Sequence, residues 1–353
     1  MIGAATSNHT KRWVNALAQR GHQVLLVCRP DQKDYMKEVL PSVQIEYLPF
    51  GGKTVSYYLN APKLKKIIKS FNPDVVNAHY ASGYGTLARM AKANPLVIST
   101  WGSDVYSYPY NNKICKYILC KNFKYASAIA ATSCAMAEQT KMLQGNAAKD
   151  VTVTPFGVDV ELFKPRERKE HKQPIIGIVK YLETIYDIPL LIKAFSIVVK
   201  KSKIKPLLHI YGDGSLRKEL EQLVQTLDIE SYVTFFGTIP NKEVPQALKE
   251  FDIFVNCSVQ ESFGVAIVEA MACQLPVVAT DTEGFREVVV DGVTGYILKD
   301  REPETMATAL HKLLSNPDLC RQMGENGRKR VLEKYDWSKN VDVMEALFES
   351  VCK

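Results

Sequence analysis

Two glutamates eight positions apart, Glu261 and Glu269, flank a glycine-bearing loop in VNCSVQESFGVAIVEAMACQLPVVATDTEG, residues 255–284. A strand-like run ends near Ser258 and a helical pattern opens around Gly264. Glu261 therefore falls in the loop, and Glu269 about a turn and a half into the helix. Gly264 lets a ligand approach the backbone, and the N–H groups of a first helical turn favour a phosphate. Carboxylates before and after such an anion site can accept hydrogen bonds from sugar hydroxyls on both sides of a diphosphate. Either acid alone reads as an ordinary surface group. The pair with the loop between points to a ligand.

His79 is a second candidate, at the end of the apolar run DVVNAH beside Tyr80 and Gly83. Cleft residues of open α/β sheets belong at such carboxyl ends, although a lone histidine equally reads as a satisfied structural residue. His9, in the opening loop TSNHTKRW, is the other histidine of this kind.

The elements that must position these groups alternate. HQVLLVC, VQIEYL, DVVNAH, PLVIST, SAIAATS and VTVTPF read as strands, with helices such as 10–21 and 61–71 between them. The alternation restarts after residue 172 with PIIGIV, PLLHIYG, YVTFFG, FDIFVNCS and PVVAT. This is α/β, two Rossmann-like domains in succession. The boundaries fall at 1–157 for the first domain, 158–336 for the second and 337–353 for a C-terminal helix that reaches back to the first. PFGVDVELFKPRERKEHKQ is the linker between the domains. Only Met1 and Ile2 precede the first helix-like pattern, so the first strand reads as missing or truncated.

The composition, 46% hydrophobic and 24% charged, excludes disorder and coiled coil as global descriptions. No apolar run is long enough for a transmembrane helix, MIGAATSNHTKR lacks a signal-peptide core, and the eight cysteines show no C-x-x-C pair. A cytoplasmic protein with reduced thiols is expected. Residues 1–157 carry 19 Lys and Arg against 8 Asp and Glu, whereas the remainder is mildly acidic. An anionic partner for the first half and plain solvated lysines both explain that excess. In KICKYILCKNFKYA (113–126) lysines interleave with apolar residues, as on a helix lying on anionic lipid or one packed on the sheet.

Residues 255–295 resemble the signature region of glycosyltransferase family 4, whose E-x(7)-E motif matches Glu261 and Glu269. NAHYASGYG (77–85), TPFGVDVELFKP (154–165), GDGSLRKELE (212–221) and FGTIP (236–240) match in order. The resemblance implies a GT-B architecture, two Rossmann domains facing across a cleft. It also implies a nucleotide-diphosphate sugar as donor, transfer with retention of anomeric configuration, and neither cofactor nor metal. It places Glu261 at the donor sugar, Glu269 at the ribose, and the backbone of Phe263, Gly264 and Val265 at the diphosphate. Gly212, Asp213 and Gly214 would line the donor side, and Ile239 would lie at the edge where the base stacks. Lys180 matches the first of two family cations that stabilise the leaving diphosphate, but the second position holds Ile185. Trp101 stands where many relatives have a histidine, which turns attention to His79. Trp101 and Asp104 could frame the acceptor, since an aromatic face suits a sugar ring; Asp104 also reads as a helix-start acid.

The expected activity is thus a glycosyltransferase acting on a glycan or lipid-linked acceptor in cell-surface polysaccharide or glycolipid synthesis, peripheral on the inner face of a membrane. Two rivals keep the fold: an impaired homologue that binds a nucleotide sugar or a partner, motivated by Ile185, Trp101 and the absent first strand, and a nucleotide-sugar epimerase. Nucleic acid is not an expected partner, because no recognition module is present. A dinucleotide dehydrogenase is disfavoured, because no G-x-G-x-x-G follows a strand.

Overall fold

The computed structural model describes residues 1–52, 54–145, 148–165, 173–203 and 205–352, so the charged run of the expected linker, 166–172, lies outside the described residues. The chain divides into two units, Met1–Phe156 with Ser338–Lys353, and Gly157–Trp337.

In the first unit α1 (Asn8–Gln19) precedes β1 (Leu25–Cys28) and β2 (Gln44–Tyr47). Next, α2 (Ser56–Leu59) and α3 (Ala61–Phe71) lead to β3 (Val76–His79), and α4 (Gly83–Met90) to β4 (Leu96–Thr100). Three helices, α5 (Ser103–Tyr106), α6 (Tyr108–Asn111) and α7 (Lys113–Tyr125), precede β5 (Ala128–Ala131), and α8 (Cys134–Gln144) precedes β6 (Val151–Val153). β1 and β2 pair in parallel, as do β3, β4, β5 and β6 in that order. Ile2 joins the two sets, bridging Val27 on one side and Ala78 on the other. Its N–H donates to Asn77 O at 2.8 Å, and its carbonyl accepts from His79 N at 2.9 Å. Met1 and Ile2 thus stand in the position of the first strand, and the chain changes direction across the sheet beside them.

β1, β3 and β4 are buried along their whole length, as parallel strands covered on both faces must be. Asn112 and Ser133 cap α7 and α8 by accepting the N–H groups of Cys115 and Met136. Lys149 Nζ donates to the Lys124 carbonyl at 2.9 Å and so satisfies the far end of α7. Leu119, Asn122 and Phe123 of α7 are buried on the sheet side, while Ile114 and Tyr117 are exposed. The helix therefore packs on the sheet through one face only. The final helix returns to this unit: Arg20 pairs with Asp342 and Glu345, and Asn340 Nδ2 donates to Pro155 O at 3.2 Å.

The second unit runs β7 (Ile175–Val179), α9 (Ile188–Lys201), β8 (Leu207–Tyr211), α10 (Arg217–Thr226), β9 (Val233–Gly237), α11 (Val244–Leu248) and β10 (Ile253–Asn256). It continues with α12 (Val265–Ala272), β11 (Val277–Thr280), α13 (Glu283–Val288), β12 (Gly295–Leu298), α14 (Pro303–Leu314) and α15 (Pro317–Lys334); α16 (Trp337–Val351) follows. Its six strands are parallel in the order β12-β11-β10-β7-β8-β9. The strand order reverses between β7 and β10. In open α/β sheets, ligands bind at the carboxyl ends of the strands flanking such a point. Among the described residues no helix is long and apolar enough to cross a membrane.

Candidate active site

The reversal in the second sheet sets β7 directly beside β10. One step beyond β7 stands Lys180, and the loop beyond β10 carries Glu261. Lys180 Nζ donates to Glu261 Oε2 at 2.9 Å and stands 4.6 Å from the centre of the Tyr186 ring. The side chains are 16% and 20% exposed, so a ligand can reach the pair without unfolding anything. The other Glu261 oxygen accepts the N–H of Ser262 at 3.2 Å, which fixes the carboxylate towards the helix that follows.

That helix, α12, starts from Gly264 at φ +99°, a backbone conformation that side chains rarely adopt. A Cβ on Gly264 would lie 2.9 Å from the Phe285 ring. Phe263 is buried against Tyr335, and Val265 opens the helix. The first turn has no acidic residue and no side-chain cap, so no side chain of the turn itself occupies its amide end. Gly284 donates its N–H to the Glu261 carbonyl at 3.0 Å, and a Cβ there would come within 2.4 Å of Phe263 N. Glu269 lies four residues into α12, half-buried.

The Gly212–Asp213–Gly214 loop packs flat against the chain beyond Lys180. Gly212 sits at φ +141°, and a Cβ on it would lie 1.8 Å from the Lys180 carbonyl oxygen. Leu182 donates to the Asp213 carbonyl at 3.0 Å. Glu183, which the sequence did not single out, accepts from Ser215 N at 2.9 Å and Ser215 Oγ at 2.6 Å. These hydrogen bonds hold its carboxyl below the usual carboxylate range. β9 ends at Gly237, and Ile239 follows, half-buried. Beside it, Tyr211 and Phe236 stack with ring centres 4.4 Å apart.

Ile185 is 45% exposed, and its carbonyl accepts from Val259 N at 2.8 Å, which places it alongside the loop to Glu261. Arg286 is engaged elsewhere, its Nε and Nη2 both donating to the Asp281 carboxylate. Arg301 is a further residue that sequence reasoning missed. It donates to Asp187 at 2.6 Å and to the Cys257 carbonyl at 2.7 Å, tying the start of α9 to the end of β10.

In the first unit His79, His9 and Trp101 come together. His79 is fully buried, its Nδ1 is 3.2 Å from Thr10 Oγ1, and its Nε2 is buried without a partner among the described residues. Its pKa is driven well below the ordinary imidazole value, by burial first and then by the neighbouring amino terminus and His9. His9 stacks on Phe156 at 3.5 Å between ring centres, and burial next to Arg12 lowers its pKa to about 4. The Trp101 ring lies 4.2 Å from His79, 5.3 Å from Tyr80 and 5.4 Å from Phe156.

Two expectations change here. Trp101 is buried among these rings and offers no open face to a sugar. Asp104 is fully buried and accepts the N–H groups of Ala81, Trp101 and Gly102 at 2.7, 3.1 and 2.9 Å. It ties the loops after β3 and β4 together and is not available to an acceptor. His79 likewise has no exposed atom, so its direct action is on Thr10 and Trp101. His9 alone of the four is only partly buried.

Two family models match the chain: residues 159–330 match "Glycosyl transferases group 1", and residues 1–133 match "Glycosyl transferase 4-like". A relative from Bacillus anthracis, N-acetyl-alpha-D-glucosaminyl L-malate synthase, is 26% identical over 96% of this chain and 91% of its own. The crystal structure of Anabaena HepE in complex with UDP superposes with a TM-score of 0.82 at 20% identity, over 99% of this chain and 96% of that one. Sucrose-phosphate synthase from Thermosynechococcus elongatus superposes with a TM-score of 0.80 at 20% identity, over 99% and 97%. Both likenesses establish the fold, two Rossmann-like domains of the GT-B type.

Proposed function

The chain belongs to the glycosyltransferases, 4-like in its first half and group 1 in its second, and we propose that it transfers a sugar with retention from a nucleotide-diphosphate sugar to a glycan or lipid-linked acceptor. The observation that carries this reading is the Lys180–Glu261 pair at the switch point, one turn from the amide end of α12. A diphosphate placed at that end would draw Lys180 to its leaving oxygens and leave Glu261 facing the donor sugar. Lys180 and the α12 amides then stabilise the negative charge that grows as the sugar–phosphate bond breaks, a task that otherwise falls to a divalent metal. Glu269 would accept from the ribose, the Gly212–Gly214 loop would close the donor side, and Ile239 would meet the base. His9, partly buried, is the acceptor-side residue.

The relative named N-acetyl-alpha-D-glucosaminyl L-malate synthase and the UDP complex of HepE fit a nucleotide-sugar donor. The basic first half fits work at the inner face of a membrane, in cell-surface polysaccharide or glycolipid synthesis. The test is a panel of nucleotide sugars scored by thermal shift and hydrolysis, with chelator present throughout. One nucleotide sugar should raise the melting temperature and release its nucleotide, and the product anomer should match the donor's. A second reading, donor binding without transfer, rests on Ile185, which leaves the second cation position apolar. Binding without hydrolysis or transfer in the same panel selects it.

A further inference from the structure

We propose that α2, α6 and α7 together form a surface that docks the first unit on an anionic lipid bilayer. This deepens the reading that the protein works at a membrane face, on which it rests, but it does not depend on the transfer chemistry.

The outward face of α6 and α7 carries Tyr110, Ile114 and Tyr117, which are 65%, 70% and 62% exposed. Ile114 and Tyr117, three apart in α7, share one side of that helix, and Tyr110 belongs to α6, across the extended Asn112. Val55, Tyr58 and Leu59, around α2, are exposed as well. Tyr108 joins the two groups, hydrogen-bonded to Cys115 of α7 and close to Tyr58. Lys113, Lys116, Lys121 and Lys124 stand exposed around the apolar residues, and Lys121 Nζ lies over the Tyr117 ring at 5.2 Å.

Charge identifies the occupant. From Glu46 to Glu138 the intervening sequence holds eleven Lys and Arg and only two acids, Asp74 and Asp104. Asp104 is buried with its carboxylate bonded, the Asp74 carbonyl meets Cys352 at the chain's far end, and Glu138 of α8 is paired with Lys141. The Asp74 carboxylate is the one acid of that stretch left against its eleven cations, so the excess stays strongly positive. A soluble polyanion would satisfy them but would leave Ile114 and Leu59 in water. An anionic bilayer takes both, the lysines at its headgroups and the tyrosines and aliphatic tips at the interface, where such residues partition.

The test is co-sedimentation of the full chain with vesicles of phosphatidylcholine alone or mixed equally with phosphatidylglycerol. Binding should require the anionic lipid and weaken as salt rises. Lys113, Lys116, Lys121 and Lys124 changed together to Gln should lower affinity by nearly three orders of magnitude, on the scale of roughly fivefold per lysine. Ile114→Ser with Tyr117→Ser should also release the protein, with an unchanged melting temperature because both sites are exposed. Changing Lys193, Lys200, Lys201 and Lys218 of the second unit to Gln should leave binding intact. Equal binding to uncharged vesicles, equal loss in that control, or lost binding to heparin with vesicle binding retained overturns the proposal. Donor hydrolysis, followed in parallel, stands or falls separately.

Discussion

Glu261→Gln separates two effects that a simple loss of function would merge. In the free chain Lys180 is held by Glu261 at 2.9 Å, and a diphosphate must take Lys180 out of that pair. Gln keeps the size and the oxygen but removes the charge. The pair is partly exposed, so releasing Lys180 from it is worth about 1 kcal/mol. A nucleoside diphosphate without a sugar should therefore bind the variant about fivefold more tightly than the parent. The intact donor behaves oppositely. It gains the same release but loses a charged acceptor for a sugar hydroxyl, about 1.5–3 kcal/mol, so kcat/KM for transfer should fall on balance by roughly twofold to thirtyfold. Titration calorimetry with uridine diphosphate and steady-state transfer rates read the two arms. Lys180→Ala supplies the reference, weakening both ligands. Weaker or unchanged diphosphate binding by a folded Glu261→Gln protein would refute the exchange of partners.

Other outcomes follow from the same geometry. Gly212→Ala should destabilise the second unit by about 3 kcal/mol, because its Cβ lies 1.8 Å from the Lys180 carbonyl at a strained φ; urea unfolding measures this. Ile185→Lys, at a 45% exposed position, should fold normally and raise turnover by about tenfold if the missing cation limits the reaction, and an unchanged rate refutes that. Phe123→Ser should cost about 3–5 kcal/mol, since that ring is fully buried, whereas Ile114→Ser should leave the melting temperature unchanged. His9 titrates at about 4 in the fold against about 6.5 unfolded, so the unfolded chain binds the proton first. Its effect is absent above pH 6.5 and removes up to about 3 kcal/mol as pH falls towards 4, and buried His79 acts in the same direction. Unfolding midpoints should be flat above neutrality and decline below it, with a shallower decline for His9→Gln.

The parts of this molecule legible in its sequence are those whose information is local. Glu261, Gly264 and Glu269 sit on one strand–loop–helix segment, so spacing alone orders them along the chain. Lys180 was singled out through the family resemblance, which sets a cation at that strand end. Glu183, Arg301 and the Tyr211–Phe236 stack were not, since each acts on a residue brought near by the sheet order, 32 positions away for Ser215 and 44 for the Cys257 carbonyl. Asp104 shows the opposite failure. A helix-start acid and a ligand-facing acid have the same local pattern, and only burial, with the Ala81 amide arriving from the loop after β3, decides between them. In α7 apolar residues occupy both faces, so periodicity could not say whether Phe123 or Ile114 meets the sheet. The protein uses that ambiguity: Phe123 and Leu119 anchor the helix, and the surplus apolar residues remain outside among lysines. They have no folding role to explain them, which is why that face reads as built for something other than the core.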